Sequence, residues 1–155
     1  MFTPRRKALL AALALTAVAY ACEDDDPVAL PAGVEVYVAT LTGAAERPNP
    51  VTTTATGTAT VTVIDNLLSY SVDVVDIDSV TIGHIHKGVA DSAGGVMVDL
   101  TPTPTGLNFT GNIALDSRTI VDSVLTHMRN SRAYVNIHTR INGGGEVRGQ
   151  LVRVQ

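Results

Sequence analysis

From Thr56 to Val75 the side chains alternate in character with a period of two, broken once at Asp65-Asn66. Ala59, Val61 and Val63 fall on one side of the first run, and Thr58, Thr60 and Thr62 on the other. In the second run Leu68, Tyr70, Val72 and Val74 share a side. A period of two is the repeat of a pleated strand, whereas a helix needs 3.6. Asp65-Asn66 supplies the turn, so Thr56–Ile64 and Leu67–Val75 are expected to form an antiparallel hairpin with one face buried. The remaining chain must then fold around a sheet.

The rest reads accordingly. Val34–Leu41 alternates as a strand with Val34, Val36 and Val38 on one side. Gly43–Pro50, punctuated by Pro48 and Pro50, is a loop. Val80–His86 is a strand in which Gly83 marks a bulge. Lys87–Gly94 is a loop, Val96–Leu100 a strand, and Thr101–Gly106 irregular around Pro102 and Pro104. Phe109–Leu115, Tyr134–Thr139 and Glu146–Val154 complete the strands, the last two joined across Asn142-Gly143-Gly144-Gly145. Asp116–Met128 differs: Ile120, Val121, Val124, Leu125 and Met128 recur at helical spacing, with Asp116 or Ser117 as N-cap. Seven or eight short strands and one short helix over the end of a sheet predict an all-β fold. We expect a single antiparallel β-sandwich of Greek-key-like connection.

The N-terminus sets the compartment. Arg5, Arg6 and Lys7 precede an apolar run of 14 residues, Ala8 to Ala21. That suits the core of a signal peptide better than a membrane span of about 20 residues. Ala19-Tyr20-Ala21 fits ordinary cleavage and release. Followed by Cys22, it also resembles a bacterial lipobox, although Ala19 stands where Leu is usual. Cys22 is the one cysteine, and an exported chain with a leftover thiol asks for an explanation, which lipidation supplies. The acidic run Glu23-Asp24-Asp25-Asp26 closed by Pro27 then serves as a solvated tether. We therefore expect residues 1–21 to be a signal peptide and 22–33 a lipidated cysteine with its tether. Residues 34–155 form the domain, held outside the cytoplasm on a bacterial cell envelope, with free secretion as the alternative.

Losing Arg5, Arg6 and Lys7 from 11 basic residues leaves 8 against 15 acidic ones, a net charge of −7. With no basic stripe or aromatic platform, nucleic acid is set aside as a partner.

The chemistry-bearing residues are His84, His86 and His138. His84 and His86 lie two apart on a strand, so their side chains leave one face about 7 Å apart at Cα. In Tyr134–Thr139, Val135 and Ile137 face one way while Tyr134, Asn136 and His138 face the other. If these strands are neighbours, three imidazoles converge on a site suited to copper or zinc. Glu146, Asp91 or Asp99 would add a ligand or orient a ring. The plainer reading makes the histidines surface or hydrogen-bonded framework. Arg148 either pairs across strands or holds an anion beside the histidines together with Glu146 and Asn136. His127, near a helix end, suits the helix dipole. No nucleophile elbow or phosphate loop appears.

Several of these motifs carry a family likeness. Leu41-Thr42-Gly43-Ala44-Ala45-Glu46-Arg47-Pro48, Thr56-Gly57-Thr58-Ala59 and Gly83-His84-Ile85-His86-Lys87-Gly88 occur in order. They are followed by Ala133-Tyr134-Val135-Asn136-Ile137-His138-Thr139 and Gly144-Gly145-Glu146-Val147-Arg148-Gly149-Gln150. Together they resemble the CHRD domain, first described as the repeat unit of chordin and frequent in bacterial exported proteins. The likeness covers about residues 34 to 154 and departs at Arg47, where members often have Val or another small residue. It implies an all-β extracellular module without established catalytic residues. In chordin-like proteins the module accompanies binding of signalling proteins, which implies an extracellular protein partner. The leading expectation is a membrane-anchored, non-catalytic binding module holding Cu or Zn through His84, His86 and His138. The alternatives are a copper-dependent oxidoreductase, by loose analogy to Cu/Zn superoxide dismutase, and a purely structural or adhesive surface domain. The chain lacks that enzyme's paired cysteines.

Overall fold

The computed structural model describes residues 33–155. The signal segment, Cys22 and the acidic tether expected from the sequence lie outside the described residues.

Nine strands follow one another: β1 Val34–Thr42, β2 Thr56–Ile64, β3 Leu67–Ile77, β4 Val80–Lys87, β5 Val96–Leu100, β6 Phe109–Thr119, β7 Ala133–Thr139, β8 Val147–Gln150 and β9 Val152–Arg153. The helix α1, Asp122–Arg129, lies between β6 and β7. The hairpin is as the alternation requires: Thr56 to Ile64 pairs residue by residue with Val75 to Leu67. Asp65 turns it with φ 54°, the left-handed value a two-residue hairpin needs and Asp tolerates.

The expected sandwich is corrected. All pairings are antiparallel, and the strands form one continuous hydrogen-bonded sheet in the order β5-β4-β7-β8-β1-β2-β3-β6, with β9 also on β1. This sheet curls until its edges nearly meet. The segment after β5 reaches β6 through Thr103 N donating to the Ile113 carbonyl at 2.7 Å, and Thr101 N donates to the Tyr70 hydroxyl at 3.2 Å. Alternation marks a buried face. It does not distinguish a sheet closing on itself from two sheets stacked together.

The inward face packs Tyr37, Leu41, Val61, Leu68, Tyr70, Val72, Ile85, Val135, Ile137 and Val147 into one core. In β1 the valines at 34, 36 and 38 face outward, and Glu35, Tyr37, Ala39 and Leu41 are the buried set. Glu35 is tolerated there because Tyr37 donates to it at 2.6 Å and the Arg129 guanidinium pairs with it, holding its carboxyl below the usual range. That pair also pins α1 to the barrel.

The helix is shorter than its periodicity suggests. Asp116 and Ser117 belong to β6, which runs on to Thr119 paired with Leu67. The helix begins after Val121, which makes no side-chain cap. Val124, Leu125 and Met128 are its buried face. Gly83 is not at a bulge; register shifts fall at Val80/Ile82 and Ile85/His86. It sits inward, where a Cβ would come 2.9 Å from Ile137 Cδ1, so the strand carrying the histidines packs closely on β7.

Candidate metal centre

Strand β7 lies between β4 and β8 and is buried on both faces. Its inward side meets the core; its outward side, Tyr134, Asn136 and His138, lies beneath loops. Register sets the neighbours. Across β4 and β7 the outward pairs are His86 with Tyr134, His84 with Asn136, and Ile82 with His138. Asp99 on β5 faces His84, and Arg148 on β8 faces Asn136. His138 is therefore diagonal to His84, a separation that imidazole side chains can span.

The three ring-nitrogen ligand atoms of His84, His86 and His138 lie within 4.8 Å of one another. His84 Nδ1 is 3.0 Å from His138 Nε2. Two nitrogens bound to one ion at 2.0–2.1 Å and a tetrahedral angle stand about 3.3 Å apart, so small ring rotations bring the set to bonding distance.

The protonation pattern is fixed by partners. A carbonyl can only accept, so His86 donates Nδ1–H to Gly94 at 2.8 Å and His138 donates Nδ1–H to Gly143 at 3.1 Å. Both Nε2 atoms then carry lone pairs. Among the described residues the buried His86 Nε2 has no hydrogen-bond partner, a costly state for a polar atom. His84 Nδ1 therefore supplies the hydrogen of the 3.0 Å contact with His138 Nε2, and its Nε2 lies 3.6 Å from Asp99 Oδ1. Backbone carbonyls holding the far nitrogens of His86 and His138 are the usual surroundings of metal-binding histidines.

His86 is 9% exposed and His138 6%. Burial lowers all three imidazoles, His138 to about 4, while Asp99 opposes the shift at His84 and the Gly94 bond opposes it at His86. They are held in the neutral, metal-binding form. His86 stacks on Tyr134 with centroids 5.1 Å apart and planes 7° apart, and the Arg148 guanidinium carbon lies 3.5 Å from the Tyr134 ring centroid.

The other candidates separate by place. Among the described residues Arg148 pairs with no anion: Nη2 donates to the carbonyls of Val89, Ala90 and Ser92, fastening the 88–94 loop above the site. Glu146 is buried away from the rings and accepts from Thr53 at 2.8 Å and Thr139 at 2.6 Å. Asn136 donates to Glu46 Oε2 at 3.3 Å. Asp91 pairs with Arg47 at 3.5 Å, and His127 stands in the last turn of α1. Of the three carboxylates weighed from sequence, Asp99 is the one beside a histidine.

Sequence reasoning passed over Glu46, Gly94, Gly143 and the stacking role of Tyr134. Gly94 and Gly143 contribute backbone carbonyls, which leave no residue-type signature. Glu46 is 3% exposed, and burial raises its carboxyl to about 7. Gly145, at φ 130°, lies so near that a Cβ would stand 2.5 Å from Asn136 and 2.8 Å from Glu46 Oε1. A cleft of about 350 Å³ opens beside it, between Glu46, Arg47, Asn49 and the 141–145 loop.

A family model described as the CHRD domain matches residues 37–151. No curated protein and no solved structure matches the chain.

Proposed function

The chain belongs to the CHRD domain family, and from that premise we propose that it is a non-catalytic binding module that holds a copper or zinc ion through His84, His86 and His138. In this reading the module is exported, anchored by a lipid on Cys22 and displayed outside the cytoplasm, with Glu23–Pro27 as its tether. The family suggests binding rather than catalysis; the histidine cluster supplies a definite thing to bind.

One observation carries the metal reading. Among the described residues the buried Nε2 of His86 has no hydrogen-bond partner, and the ring-nitrogen ligand atoms of His84, His86 and His138 lie within 4.8 Å of one another. A framework histidine would be expected to satisfy that atom. An ion satisfies it, together with His84 Nδ1 and His138 Nε2. Three neutral nitrogen donors suit Cu²⁺ and Zn²⁺ rather than Ca²⁺ or Mg²⁺, which take oxygen.

Calorimetric titration of the purified protein with Cu²⁺, paired with electron paramagnetic resonance, tests this. One ion per chain with three nitrogen ligands is expected, and the nitrogen signature disappears in the His84→Ala/His86→Ala/His138→Ala variant. Equal binding by that variant would return the histidines to a framework role. The anchor is tested by mass spectrometry of the membrane fraction, where an unmodified Cys22 would exclude it.

A further inference from the structure

The three imidazoles are held unequally. His86 is tied to the Gly94 carbonyl and stacked on Tyr134; His138 is tied to the Gly143 carbonyl. Among the described residues no backbone group ties the His84 ring. Its far nitrogen lies 3.6 Å from Asp99, whose side chain is 72% exposed.

The surroundings are equally one-sided. Toward β8 the site is roofed: Arg148 and Gln150 fasten the 88–94 loop, with Gln150 Nε2 donating to the Gly88 carbonyl at 3.0 Å. Toward β5, the edge of the sheet, the Asp99 side chain is 72% exposed, and on β4 itself Ile82, two residues before His84, is 47% exposed. That flank is the open approach to His84.

We propose that the bound ion is cargo, passed to an incoming nitrogen, oxygen or sulfur donor that enters over β5, with His84 as the ligand that lets go first. This rests on the metal reading above. Three protein ligands leave a fourth position open on a tetrahedral ion. The incoming donor takes that position, and the His84–ion bond breaks as the transfer proceeds. His86 and His138 keep hold until the acceptor has its own grip. The ion keeps its charge and oxidation state throughout; one bond forms for each that breaks. An ion meant to stay would have all three rings tied from behind, as two of them are.

The test uses purified protein loaded with one equivalent of Cu²⁺ and mixed rapidly with increasing EDTA, following the copper absorbance. The transfer rate is expected to rise in proportion to EDTA. Ile82→Trp, which crowds the exposed flank of His84 and sits across the sheet from His138, should slow the EDTA-dependent rate by several-fold more than it changes the copper affinity measured in parallel. A rate independent of EDTA, or one unaltered by Ile82→Trp, would overturn transfer while leaving metal binding intact. Failure to bind copper at all would instead sink the parent reading and this one with it.

Discussion

His84 Nδ1 and His138 Nε2 stand 3.0 Å apart although their residues are 54 positions apart in sequence and diagonal, not opposite, in the sheet. Since His138 gives its own proton to Gly143, the metal-free pair is joined by a proton on His84 Nδ1. An ion takes that proton's place, and His84 then carries its hydrogen on Nε2, toward Asp99.

Asp99 should therefore act on affinity without touching the ion. Asp99→Asn is expected to weaken copper binding by about 10–100-fold, the usual scale for a partner that orients a ligand. Asp99→Glu should recover part of it. Competition titration gives the affinities, and ¹⁵N shifts of His84 report the tautomer; an unmoved tautomer with unmoved affinity would remove Asp99 from the site.

Burial of His138 makes the metal-free fold acid-sensitive. The folded imidazole titrates at about 4 against 6.5 unfolded. Between those values the unfolded chain binds a proton that the folded one refuses. The contribution is complete above pH 6.5 and is lost as pH falls toward 4. His84 and His86 are shifted in the same direction. Urea midpoints measured between pH 7 and 4 should fall less steeply in His138→Gln than in the parent protein.

Glu46 works in the opposite sense. Its carboxyl is raised from 4.5 to about 7, so the folded state holds a proton that the unfolded state has released. Stability on this account is full below pH 4.5 and declines as pH rises through 7. Glu46→Gln should stabilise the protein at pH 8 by on the order of 1–2 kcal/mol, discounted from the full shift because water reaches the neighbouring cleft. Near pH 4.5 the two proteins should have nearly equal melting temperatures.

Arg148→Lys tests the roof. Arg148 is 2% exposed, donates to three carbonyls of the 88–94 loop and lies over Tyr134. Lysine keeps the charge but loses the planar fork and most of the stack. A loss of about 2 kcal/mol is expected. Hydrogen exchange should also quicken at Gly94, whose N–H donates to the Tyr134 hydroxyl.

Much of this was legible in the chain. The hairpin register, the strand carrying His84 and His86 around core-facing Ile85, and the outward alternation of Tyr134, Asn136 and His138 all follow from a period of two. Where two patterns overlap, the reading slipped: Asp116 and Ser117 look like helix caps, yet pairing with β3 keeps them extended. Tertiary pairing outweighs a local cap preference worth about 1 kcal/mol.

Outside Asp116–Thr119 the sequence by itself determined where the strands run, which residues of each share a side, and that His84 shares a face with His86. Only the tertiary structure decided that β4 lies beside β7, that the sheet curls on itself, and that the carbonyls of Gly94 and Gly143 stand behind two of the rings. The physical reason is that alternation is a local property of one strand. Strand order and backbone hydrogen bonds are settled by which faces can bury together, and no side-chain pattern records them.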